Sequence, residues 1–144
     1  ILKNFDNPEA AIFSYDGKYV FISNSAEIGD RGTGFSWAEN EGYISKLSVN
    51  SNGTLTMVEE KFITGISSPL GMGVIPVSTD LFPAGTIFVC AGSAPIVDQE
   101  GKTISDRNRM RSRLLAFNTD GKILGEINTG AGSIFEEITA TLLY

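Results

Sequence analysis

Hydrophobic positions along this chain fall in short runs divided by polar, glycine-containing stretches. Ala10-Ala11-Ile12-Phe13 leads into the turn signal Tyr15-Asp16-Gly17-Lys18. Tyr19-Val20-Phe21-Ile22-Ser23-Asn24 follows, a β-branched and aromatic run suited to a buried strand. After a polar, glycine-rich stretch, Gly42-Tyr43-Ile44-Ser45-Lys46-Leu47-Ser48-Val49 alternates with period two. Asn50-Ser51-Asn52-Gly53 signals a turn, and Thr54-Leu55-Thr56-Met57-Val58 resumes the alternation. None of these runs has helical spacing, so the pattern predicts four strands in about fifty residues.

The order then repeats. Gly71-Met72-Gly73-Val74-Ile75 and Thr86-Ile87-Phe88-Val89-Cys90-Ala91 read as first and second strands. Arg113-Leu114-Leu115-Ala116-Phe117 is the third, Asn118-Thr119-Asp120-Gly121 the turn, and Lys122-Ile123-Leu124-Gly125-Glu126-Ile127 the fourth. Asn7-Pro8 matches Ser68-Pro69, a period of about 60 residues. The expectation is an all-β chain, a β-propeller fragment of four-stranded antiparallel blades. One blade covers 5–66, a second 67–132, and the first strand of a third 133–144. Ile1-Leu2-Lys3-Asn4-Phe5 reads as the end of an outer strand. Two blades alone would leave sheet faces and edges uncovered. The remaining blades are therefore expected from another chain segment or from further copies. A small free-standing β-sandwich is the alternative.

Composition narrows the function. A net charge of −6 sets this chain against general nucleic-acid binding. No apolar run approaches the ~20 residues that span a bilayer, so no membrane partner is expected. The absence of histidine removes any Ser-His-Asp or Cys-His arrangement and any HExxH zinc site made within these residues. The single cysteine, Cys90, lies in an apolar run and reads as a buried thiol. No secretory leader is visible, and the chain opens on Ile1 within an apolar pattern. Localisation stays open, with export to the periplasm or medium the expected direction.

Asn7-Pro8-Glu9-Ala10-Ala11-Ile12-Phe13-Ser14-Tyr15-Asp16-Gly17-Lys18-Tyr19-Val20-Phe21-Ile22-Ser23-Asn24 resembles the blade opening of six-bladed propellers of the SMP-30/gluconolactonase, strictosidine synthase-like and NHL types. Gly42-Tyr43-Ile44-Ser45-Lys46-Leu47 and Thr64-Gly65-Ile66-Ser67-Ser68-Pro69-Leu70-Gly71-Met72-Gly73 continue the likeness. For gluconolactonase-like members the resemblance implies a divalent metal, usually calcium, in the central channel. Glu, Asn and Asp at the starts of innermost strands are its ligands. Glu9 matches such a position in the first unit and Glu136 or Glu137 in the third, while Leu70 stands there in the second. The usual Asn-Asp or Asn-Gly pair is absent.

Two readings follow. One is a calcium-binding propeller that hydrolyses small esters or lactones, its cation polarising the carbonyl and activating water. The other is a propeller that binds a protein or carbohydrate without chemistry. Both place a small-molecule ligand, substrate or partner on the face carrying two long insertions, Glu27 to Glu41 and Ala94 to Ser112. Asn24, Phe35, Trp37, Asn40 and Arg109 are the residues expected to face that ligand. Arg109 belongs to a stripe of arginines at every second position from Arg107 to Arg113, facing one way in an extended strand. Such a stripe suits an acidic partner, or a solvated face set against Asp98, Glu100 and Asp106.

Overall fold

A computed structural model describes residues 5–30, 35–38, 40–92, 96–97 and 113–128, and these are all-β, with no helix. The first sheet has the order β1-β2-β5-β6, from β1 (Pro8–Phe13), β2 (Tyr19–Asn24), β5 (Gly42–Val49) and β6 (Leu55–Ile66). The second pairs β7 (Pro69–Val74), β8 (Ile87–Ala91), β10 (Arg113–Phe117) and β11 (Ile123–Asn128) in the same sequential way. Every neighbour in both sheets is antiparallel. A third, smaller sheet joins β3 (Glu27–Asp30), β4 (Phe35–Ala38) and β9 (Ile96–Val97).

The turns form where their chemistry requires. Gly17, Gly53 and Gly121 have φ of 70°, 80° and 83°, a left-handed backbone that glycine adopts without steric cost. Asp16, Asn52 and Asn118 each accept a backbone N–H two residues on, closing these turns by side chain. The fourth strand of the first unit runs far beyond its expected five residues. It continues because register shifts between Ile44/Lys46 and Lys46/Leu47 absorb extra residues as bulges. Those bulges break the period-two signal that marked the strand's beginning.

The two units begin alike. Pro8 pairs with Asn24 and Pro69 with Ala91, each followed by a register shift. The residues before the two prolines, Asn7 and Ser68, both have positive φ, 50° and 44°. Ser68 is fully buried and its hydroxyl has no hydrogen-bond partner. The second unit thus repeats the first one's backbone without the amide that serves it there.

These registers also fix how the sheets stack. Matching Asn24 to Ala91 makes Phe21 equivalent to Phe88. Matching Tyr43 to Arg113 makes Ile44 equivalent to Leu114. The shared core joins Phe21, Ile44, Ile63 and Ile66 of the first sheet to Ile87, Val89, Ala91, Leu115 and Phe117 of the second. The second-sheet members are equivalent not to Phe21 and Ile44 but to residues on the reverse face, such as Val20, Ile22 and Leu47. The front of one sheet therefore packs on the back of the next, so the sheets stack in the same sense rather than as two-fold mates.

Polar ties cross the joint. Ser23 Oγ donates to Leu70 O at 2.8 Å. Lys46, only 9% exposed, lies over the Tyr19 ring (4.1 Å) and the Phe62 ring (4.9 Å), and its Nζ donates to Thr119 O at 2.6 Å. Burying an ammonium is costly unless donors and charge are met. Here two aromatic faces and a carbonyl meet them.

Candidate functional site

Antiparallel alternation sorts the connections between two ends of the strands. The turns after β1 and β10 lie at one end. The start of β1, the start of β7 and the connections after β2 and β8 lie at the other. The second end holds the residues that the sequence marks.

Glu9 opens β1 and is exposed. Its Oε1 accepts from Asn7 Nδ2 and Ser25 Oγ, both at 3.0 Å. Asn7 Nδ2 also donates to Ser25 Oγ at 2.9 Å, and Asn7 O, 3.2 Å from Ser25 Oγ, shares with Glu9 the single proton of that hydroxyl. The left-handed turn at Asn7 brings its amide back over the strand head, and this small network orients one carboxylate. Asn7 and Ser25 carry no motif of their own. The Asn-Pro pair was the one sequence signal for them.

Asn24, expected to face a ligand, ends β2 and is fully buried. Its Nδ2 donates to Ser45 Oγ (3.0 Å) and Ile22 O (3.1 Å), and its Oδ1 accepts the Asp6 N–H at 3.3 Å. Its amide thus serves the fold, locking the incoming chain to the first sheet. Beside it Tyr43 is also buried, and burial pushes its phenol up, with the charges of Asp6 and Glu60 acting the same way.

Asn40 is exposed in a left-handed turn (φ 59°), and its N–H donates to Ser67 Oγ at 2.9 Å. This bond ties the end of the first insertion to the junction between the units. Phe35 and Trp37 stand two apart in β4, where Trp37 pairs with both Glu27 and Ile96. Read from sequence as loops, the insertions contribute β3 and β4 from one and β9 from the other. They pair in parallel, Trp37 with Ile96 and Ala38 with Val97. The connections of both units thus form one accessory sheet at the same end as Glu9. Strands this short carry no readable alternation, so only their partners reveal them.

Arg109, Glu136 and Glu137 lie outside the described residues, as does the expected third-unit strand. Of the arginine stripe, Arg113 is described. Its Nε and Nη2 grip Glu126 at 2.8 Å each, and Nη1 reaches Gly65 O at 3.4 Å. That fork joins a cross-strand pair within the second sheet.

Calcium takes six to eight oxygens drawn from several segments. Among the described residues no three His, Cys, Asp or Glu gather. Glu9 brings one carboxylate with one oxygen already engaged, and Leu70 supplies none. Compared with protein-family models, with curated proteins and with solved structures, the chain matches none.

Proposed function

We propose that this chain supplies two neighbouring blades of a β-propeller whose accessory-sheet end binds a carbohydrate without transforming it. The observation that carries the reading is the pairing of β4 with β9, which joins the connections of both units into one surface. Same-sense stacking supports the propeller, because such a joint can be repeated around an axis, whereas a two-fold sandwich closes after two sheets. Carbohydrate is the favoured partner for its chemistry. Phe35 and Trp37 at alternate positions, with Asn40 nearby in the chain, are residue types that meet a sugar's C–H face and hydroxyls. The competing reading, calcium-assisted hydrolysis of a small ester or lactone, rests on Glu9, which Asn7 and Ser25 hold oriented.

Trp37 is the chain's one tryptophan, so its emission reports on this end alone. The test is a printed oligosaccharide array followed by fluorescence titration with the strongest hit. Saturable emission change is expected, with array binding at least about tenfold weaker in Trp37→Ala, the loss of about 1.4 kcal/mol of contact. Two outcomes would overturn the reading. One is an array without hits. The other is lactone turnover together with calcium-dependent thermal stabilisation that Glu9→Gln abolishes.

A further inference from the structure

Three turns of this fold close alike, and one of them carries a reactive amide. Gly17, Gly53 and Gly121 stand at positive φ and donate their N–H groups three residues back, to Ser14 O (2.9 Å), Asn50 O (2.9 Å) and Asn118 O (3.0 Å). The residue before the glycine is Asp16 in the first turn and Asp120 in the third, but Asn52 in the second, the hairpin between β5 and β6. An ionised carboxylate repels an incoming nucleophile, whereas a neutral carboxamide does not. Asn52 is the chain's one asparagine followed by glycine. With no Cβ on the following residue, the path from its backbone nitrogen to the Asn52 side chain is open.

The hairpin end stands clear of the core. Ser51 to Thr54 are exposed, and a Cβ at Gly53 would meet nothing within 4 Å, whereas one at Gly121 would press on the Phe62 ring at 3.2 Å. Only the turn's own hydrogen bonds restrain Asn52. Its Oδ1 accepts the Thr54 N–H at 3.1 Å and the Thr54 hydroxyl at 2.7 Å, and Asn50 N–H donates to Thr54 O at 2.8 Å.

We propose that Asn52 is a site of spontaneous modification, converting to aspartate and isoaspartate at a rate set by the opening of this turn. The Gly53 backbone nitrogen attacks Asn52 Cγ. The N–Cγ bond forms, the Cγ–Nδ2 bond breaks, and the Gly53 N–H proton leaves with Nδ2 as ammonia. Water then opens the cyclic imide. Cleavage at Cγ gives aspartate, and cleavage at the backbone carbonyl gives isoaspartate, with the chain running through the former side chain. Attack within one chain needs no enzyme, since the two groups are held side by side. In the closed turn, however, Asn50 O holds the Gly53 N–H and Thr54 holds Asn52 Oδ1, so both must release before the ring forms. Either product adds a negative charge to a chain at −6, and isoaspartate also lengthens the backbone of the turn.

The test is to hold the intact chain at about pH 8 and about 37 °C for several weeks and to map its peptides by mass. The fragment 47–61, bounded by Lys46 and Lys61, should gain about 1 Da at Asn52 and separate into aspartyl and isoaspartyl forms. The same fragment as a free peptide should convert at least about fivefold faster, because no turn holds it. Thr54→Val removes the hydroxyl and keeps the N–H. It should speed conversion in the chain at least about twofold, with far-ultraviolet dichroism unchanged, and leave the rate of the free peptide as it was. No conversion of Asn52 over that time would overturn the proposal, as would equal rates in chain and peptide. A Thr54→Val chain no faster than wild type, or earlier conversion of Asn50 or Asn118, which precede serine and threonine, would do so too.

Discussion

Single residues in this chain do unlike work from like positions. Glu9 and Leu70 both open a first strand, yet one is a carboxylate held by Asn7 and Ser25 and the other offers only its carbonyl, to Ser23. Asp16 shows how a turn residue becomes a charged fixture. The Ser14 hydroxyl at 2.7 Å, then the Lys18 N–H at 3.1 Å and the Lys18 ammonium at 3.2 Å, lower its carboxyl from 3.8 to about 2. A value below that of the unfolded chain means that ionised Asp16 stabilises the fold above about pH 4. The contribution fades as pH falls through about 2. Wild type should thus lose more stability than Asp16→Asn between pH 4 and 2, read from urea midpoints at stepped pH. Parallel loss in the two proteins would remove Asp16 from that account.

At the scale of strands, close approach decides which glycines are fixed. A Cβ at Gly42 would stand 2.3 Å from Pro69 Cδ and 2.7 Å from Ile66 O, where β5 starts against the junction of the two units. Gly71, on β7, has nothing within 4 Å and an ordinary φ. Gly42→Ala should cost about 3 kcal/mol by overpacking against backbone, whereas Gly71→Ala should stay within ~0.5 kcal/mol. Denaturation midpoints check both, and an equal response would show that β5 can shift. This scale is also where the sequence was most legible. The strands Tyr19–Asn24, Gly42–Val49 and Arg113–Phe117 were marked to the residue, because alternation and Asp-Gly or Asn-Gly turns are local chemistry. The continuation of β6 past its bulges, and the strands β3, β4 and β9, were not legible. Their existence depends on pairing with residues far off in the chain. Of the site, Glu9 and the insertions could be located in advance. The burial of Asn24 could not, since an Asn after a strand reads the same whether it meets water or Ser45.

For the molecule as a whole, the joint between the sheets matters most. Phe21, Phe62 and Phe117 meet edge-on or tilted across it, ring centroids 5.6–6.3 Å apart, with Lys46 bonded beside them. Lys46→Met keeps the apolar stem and removes the bond to Thr119 O. It should lower stability by about 1–3 kcal/mol while leaving one cooperative transition. The midpoint of the far-ultraviolet dichroism transition in urea reads the loss, and a second dichroism transition would mean that the two four-stranded sheets unfold independently. Front-to-back stacking has a further consequence. In a two-fold pair the contact itself ends the assembly, so its chemistry counts to two. A joint that can be repeated carries no count at all, and the number of units is left to the angle between successive sheets. Bulges such as those in β6 bend their strands and so help to set that angle. On the proposed propeller reading, adding or losing a single strand residue would change that angle, and with it the number of units that fit around an axis.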